Sequence, residues 1–235
     1  MTAPSNAAAS IAALFALLSF GLCSAASAAD AGPAGSWSGF YAGVEAGGDW
    51  SGVSGPFGNA VRTGFGPYAI TAPGALLGGY AGYNWQWRSL VLGAEGDANG
   101  VFGSQTTDRS VPFAGGLAFY DIGAKQSWTA DARLRAGYTV GRALLFVAGG
   151  AAFADVRTTY ARAGAPPALA VSSDRAGWTI GGGVEYAFTD RLVGRVEYRH
   201  ADFGRRAFTN VPLQVYDNVR FTSDQALVGV SYKIW

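Results

Sequence analysis

His200 is the chain's one histidine, and Asp202 stands two residues beyond it. Residues i and i+2 of a strand share a face, so this pair could supply the base and its orienting carboxylate for hydrolysis. A serine nucleophile would have to be brought in by the fold, and spacing alone provides no such geometry. The competing reading is a bystander histidine close to a loop. One histidine and one cysteine, Cys23, leave too few ligands for a transition-metal site. No metal and no cofactor is therefore expected. Gly181-Gly182-Gly183 lacks the Lys-Ser/Thr and the helix that make a phosphate loop. The richer constellation is ionic. Glu45, Glu95, Asp97, Asp131, Glu185 and Glu197 stand against Arg133, Arg135, Arg195, Arg199 and Lys233. Held on one face, away from water, these groups must pair, because an unpaired buried charge costs several kcal/mol. Three chemistries compete: a salt-bridged network that plugs an interior, a polar lane for small solutes, or a carboxylate-pair hydrolase.

The elements that must hold these charges are strands. Val228, Val230, Tyr232 and Ile234 alternate with Leu227, Gly229, Ser231 and Lys233, the period of a strand with two unlike faces. Phe40, Ala42, Val44 and Ala46 alternate with Tyr41, Gly43, Glu45 and Gly47. Gln126 to Tyr138 sets Trp128, Ala130, Ala132, Leu134, Ala136 and Tyr138 against Ser127, Thr129, Asp131, Arg133 and Arg135. Similar runs cover Ala75–Trp87, Leu90–Phe102, Gly177–Phe188 and Leu192–Ala201. Leu144–Phe153 is apolar on both parities, which leaves its register open. The pattern predicts eight strands of about 10–13 residues, enough for a tilted crossing of a bilayer. Tight turns at Arg88-Ser89, Val140–Arg142 and Thr189–Arg191 alternate with polar loops at Ser51–Pro73, Gly103–Lys125, Asp155–Arg175 and Asp202–Val219. The fold class expected is all-β, an eight-stranded antiparallel up-and-down transmembrane β-barrel, with short periplasmic turns and long outer loops. Its interior is just filled by side chains. A soluble, lipocalin-like barrel is the alternative, but its water-facing side would be rich in Gly and Ala and poorly solvated.

Composition agrees. Charged residues make up 14% of the chain and aromatic residues another 14%, with 35 glycines. That is few charges for a soluble domain. A net charge of +1 gives no footprint for nucleic acid. Trp37, Phe40, Trp85, Trp87, Tyr138, Tyr186 and Tyr232 fall at one end of the strands, and Trp50, Trp128 and Trp178 at the other. Two aromatic girdles at the lipid–water boundaries are the expected reading. Ile11 to Leu22 is an apolar core, and Ala26-Ser27-Ala28 a small-x-small cleavage pattern. The domains read as a secretory signal peptide over 1–28, a short lead over 29–36 and a barrel over 37–235. Cys23 falls in the removed segment.

WSGFYAGVEAGGDW (Trp37–Trp50), GGYAGYNWQ (Gly78–Gln86), VLGAEGD (Val91–Asp97), GGGVEYAF (Gly181–Phe188), RVEYRHADFG (Arg195–Gly204) and VGVSYKI (Val228–Ile234) occur in order. Together they resemble the outer-membrane immunogenic protein family of rhizobia and brucellae. The resemblance implies an eight-stranded barrel related in architecture to the membrane domain of OmpA, a place in the cell outer membrane and no catalytic motif. Members are surface antigens, some with porin-like or hemin-binding activity. The family's chains end Tyr-Lys/Arg-Phe, whereas here Tyr232-Lys233 is followed by Ile234 and Trp235. The function expected is therefore a structural, surface-exposed role (antigen or adhesion-like) with a plugged interior. The alternative is a small-solute porin or a hemin-binding protein, for which His200 and loop tyrosines Tyr68, Tyr120, Tyr160 and Tyr216 are the available ligands. The expected partners are outer-membrane lipid and lipopolysaccharide, the barrel-assembly machinery through the C-terminal strand, and an extracellular ligand on the long loops.

Overall fold

The computed structural model describes residues 35–59, 67–103, 105–113, 116–162, 169–210 and 215–234. The expected signal peptide and Trp235 lie outside them. Nine strands follow in order: β1 (Gly39–Asn59), β2 (Pro67–Trp87), β3 (Leu90–Phe102), β4 (Gln105–Phe113), β5 (Gly116–Val140), β6 (Ala143–Arg162), β7 (Leu169–Ala187), β8 (Leu192–Asn210) and β9 (Val215–Ile234). All pairings are antiparallel, in the order β3-β2-β1-β9-β8-β7-β6-β5-β4, and β3 closes on β5. β4 pairs with β5 alone and carries on where β3 stops, so the wall has eight staves. The seam is β1 against β9, from Phe40↔Ile234 up to Asn59↔Val215.

The tight turns lie where the sequence places them. Arg88 takes a left-handed φ of 55° and Gly141 one of 59°, as two-residue hairpins require. The outer connections differ from expectation. β1, β2 and β4 to β9 run well past the alternating segments, up to 25 residues in β5, so the segments read as loops are long β-hairpins. Outside the membrane neither face must be apolar. Alternation therefore fades from the sequence, while backbone pairing continues undiminished.

Alternation along the strands gives two clean faces. Val44, Leu77, Leu134, Val147, Ile180 and Val228 are exposed outward, Leu134 the most at 74%. Glu45, Glu95, Arg133, Arg195 and Glu197 are buried inward. β6 turns Leu144, Phe146 and Ala148 inward, with Leu145 and Val147 outward. Both of its faces are apolar because its inner residues belong to the apolar floor of the lumen. Ser127 is a correction. The β5–β6 register jumps between Gln126 and Thr129, and this bulge turns Ser127 outward beside Trp128. Inward glycines let the wall close: a Cβ at Gly183 would lie 2.1 Å from the Val196 carbonyl oxygen.

Inside, side chains stack in layers. Trp37, Val91, Leu144, Phe146, Ala148, Ala187 and Val193 form an apolar floor at the turn end. A charged layer follows. Above it come Leu76, Val101 and Leu227, then a polar cup around Asp49, then the Phe203 and Phe221 rings, 5.4 Å apart.

Candidate functional site

The charged layer is built by period two. β3 contributes Glu95 and Asp97, β5 Asp131, Arg133 and Arg135, β7 Glu185, β8 Arg195, Glu197 and Arg199, and β1 Glu45. Glu95 sits opposite Arg133 in the β3–β5 ladder, and Glu185 opposite Arg195 in β7–β8. From these rungs the guanidinium groups cross the lumen. Arg133 Nη2 lies 2.6 Å from Glu95 Oε1, and its Nη1 contacts Glu197. Arg195 Nη2 reaches Glu95 at 2.8 Å and Glu197 at 2.9 Å. Arg135 spans Glu185 at 2.9 Å and Glu95 at 3.3 Å. Asp97 and Asp131 face one another across the ladder, two like charges that would repel. Arg199 Nη1 bridges them, 2.9 Å from each, and its other nitrogens reach Glu197 and Glu45 at 3.3 and 3.7 Å. Asn99 Nδ2 donates to Glu45 at 2.9 Å and to Asp97 at 3.0 Å.

Three rings belong to this layer that the charge pattern did not single out. Tyr41 donates its hydroxyl to Glu95 at 2.7 Å. Arg135 stacks 4.4 Å from the Phe146 centroid, and Arg195 4.6 Å from that of Tyr80. Desolvated guanidinium groups gain from such faces. Tyr41 and Tyr80 were findable by parity; Phe146 was hidden by the ambiguous register of its strand.

Lys233 points inward but stands apart from this network. Its ammonium donates to the Ser36 carbonyl at 3.2 Å and lies 4.5 Å from the Trp37 ring centroid. At the turn end of the barrel it makes no ion pair with these carboxylates among the described residues. Trp37 corrects the girdle too: it is 3% exposed and folded into the floor, because its parity is that of Tyr41 rather than Phe40. Phe40, Trp85, Trp87, Tyr138, Tyr186 and Tyr232 are exposed at the turn end, and Trp50, Trp128 and Trp178 toward the hairpins.

His200 takes a different partner from the neighbour in sequence. Its Nδ1 lies 2.8 Å from Asp224 Oδ1 on β9, which also accepts the Tyr198 hydroxyl at 2.7 Å. Asp202 instead pairs with Arg220 and accepts the Gly204 amide. His200 and Asp224 lie on the outward parity of their strands, beside Trp178. The nearest serine in sequence, Ser223, is fully buried on the other face. Among the described residues no group of three His, Cys, Asp or Glu side chains is arranged to hold a metal.

Comparison with known proteins agrees with this architecture. A model of the outer membrane protein beta-barrel domain matches residues 15–233. The 31 kDa outer-membrane immunogenic protein of Brucella melitensis is 33% identical over 206 residues, 84% of either chain. The 22 kDa outer membrane protein of Rhizobium leguminosarum bv. viciae is 33% identical over 172 residues, 73% of this chain and 66% of its own. Among solved structures, OprG from Pseudomonas aeruginosa superposes with a TM-score of 0.53 at 14% identity, over 86% of this chain and 98% of its own. That last likeness is one of fold.

Proposed function

Because the chain belongs to the outer-membrane β-barrel protein family, and so is a protein of the outer membrane, we propose that it serves there as a closed, surface-presenting barrel rather than as a pore or an enzyme. The observation that carries this reading is the cross-brace of Arg133, Arg195, Glu95 and Glu197. Each of these side chains is no more than 1% exposed, and they meet from three strands in the middle of the lumen. A solute lane needs mobile, hydrated charges. Charges held to one another by short contacts, bidentate between Arg195 and Glu95, and capped by apolar layers on both sides offer no such lane. The hairpins of β1–β2, β4–β5, β6–β7 and β8–β9 are what a host molecule or antibody would meet, and binding residues concentrate on such connections. The immunogenicity recorded in the name of the Brucella relative fits that role.

Export through a signal peptide cleaved after Ala28, and delivery to the barrel-assembly machinery through β9, complete the proposal. Among the described residues no serine hydroxyl contacts His200 or Asp224, whose partners are one another and Tyr198, which supports a role other than hydrolysis. Reconstitution into planar bilayers is the test. The wild-type barrel should give no reproducible conductance steps. Steps of constant size would overturn the closed reading and favour the small-solute pore.

A further inference from the structure

The wall of the barrel carries a groove of about 710 Å³ on its lipid-facing side, where β5 to β8 meet. Its floor is the backbone of Gly181, Gly182 and Gly183, and Leu145, Val147 and Ile180 are among the side chains that line it. It begins near Leu90 and Tyr138 at the turn end of the wall and reaches His200 near the outer girdle. The glycine at its centre leaves the wall bare of side chain there; a Cβ on Gly182 would lie 3.0 Å from the Phe146 carbonyl oxygen and 3.5 Å from Val147. What sets the groove apart from ordinary lipid-facing surface is its polar end. An ionisable side chain on a membrane-facing surface is costly, and where it occurs it points to function. His200, Asp224 and Tyr198 form such a cluster at the head of the groove. Nδ1 of His200 is committed to Asp224, and Nε2 is the ring's remaining polar atom.

We propose that this groove holds one acyl chain of an outer-leaflet lipid A molecule, with His200 Nε2 donating to its ester or phosphate oxygens. The occupant follows from placement. The groove is continuous with the band that Leu134, Val147 and Ile180 expose to hydrocarbon, so what fills it is hydrocarbon. Its polar end lies at the level of Trp50 and Trp178, so the chain enters from the outer leaflet. Burying methylenes against the glycine floor restores the packing contacts that the missing side chains forgo. Asp224 against Nδ1 favours the protonated ring, whose Nε2–H supplies a charge-assisted donor at the interface. This site rests on the outer-membrane placement and is independent of whether the lumen conducts.

Native mass spectrometry of the full-length folded barrel in detergent, with lipid A or phosphatidylglycerol added, tests the site. The wild type should retain one lipid A per barrel and hold phosphatidylglycerol about tenfold less well. Ile180→Trp, which fills the groove with a side chain that lipid tolerates, should weaken retention about tenfold, and His200→Ala about threefold. Leu77→Trp, on the opposite wall, should leave it unchanged. If Ile180→Trp does not fold, Val147→Trp takes its place. Equal retention of both lipids, or retention untouched by filling the groove, would overturn the site. A dimer that forms in the wild type and is lost on filling would assign the groove to a second copy of the chain instead. Full retention in His200→Ala would overturn the head-group contact.

Discussion

Two polar stations sit inside the barrel, one above the other, and they solve the burial of charge differently. The lower holds Glu45, Glu95, Asp97, Asp131, Glu185 and Glu197 against four arginines. The upper holds one carboxylate, Asp49, 1% exposed. No arginine or lysine lies within ion-pair distance of it among the described residues. Ser51 and Ser223 place their hydroxyls on its two oxygens, and Gln225 donates at 3.4 Å. In the lower station each guanidinium serves several carboxylates from different strands, so no member can leave without stranding charge. In the upper station the partners are neutral dipoles that can turn toward one another. The difference is between a brace and a cup. A buried ion pair adds little net stability over an apolar filling, yet removing one partner is expensive. The lower station should therefore be intolerant of single changes in a way the upper is not.

The largest effect of a single substitution should come from Arg199→Leu. Arg199 is 1% exposed and contacts Asp97, Asp131, Glu197 and Glu45. Its loss leaves Asp97 and Asp131 facing one another without a bridge. The expected cost is about 3–5 kcal/mol, measured by urea unfolding in lipid vesicles with the folded band of unboiled gels as the readout. A cost near that of an ordinary apolar truncation would mean that water or ions already share the lumen with these charges.

The next effect reverses the geometry by placing a charge on the lipid side of the same strand. Leu134 follows Arg133 but is 74% exposed outward. Leu134→Arg should cost about 2–4 kcal/mol at mid-membrane, read by the same unfolding series. A neutral outcome, with Arg133 accessible to lipid-side labels, would put β5 out of register by one. Asp49→Asn should be milder, about 1 kcal/mol or less, because an amide still accepts from one serine and can donate to another neighbour. A cost as large as that of Arg199→Leu would make the cup a second brace and erase the contrast.

How much of this was legible follows from where alternation is enforced. Within the membrane, lipid on one side and a packed lumen on the other force period two. Glu45, Arg133 and Glu197 could thus be assigned inward, and Leu134 outward, from sequence. β6 escaped because Leu144 and Phe146 serve the apolar floor, so its two faces look alike. Trp37 was misplaced because an aromatic near a strand end reads as girdle, although its parity is that of the inward Tyr41. The hairpins escaped because backbone pairing leaves no mark on side-chain type once lipid is absent. The partnership of His200 and Asp224 joins β8 to β9, and such a pairing depends on register rather than on local spacing.

The smallest expected effect tests whether stranding buried groups is what makes a change costly. At the periplasmic lip the seam ends in a pair of exposed side chains, Ile234 opposite Phe40, exposed 52% and 63%. Just inside it Lys233 is held by Ser36 and Trp37. The apolar outward row of β9 is thus complete at Ile234, and the inward row is closed by Lys233. Deleting Trp235 alone leaves every described β9 pairing, Val215 to Ile234, in place, and the folded band on unboiled gels should persist with a stability change near zero. Deleting Val228–Trp235 strips β1 of its partners from Phe40 to Ala46 and leaves backbone groups bare in lipid, where each costs several kcal/mol; no folded band should form. If the single deletion also abolished the band, the barrel would depend on its terminal aromatic independently of any stranded buried group. The contrast between brace and cup would then not extend to the lip.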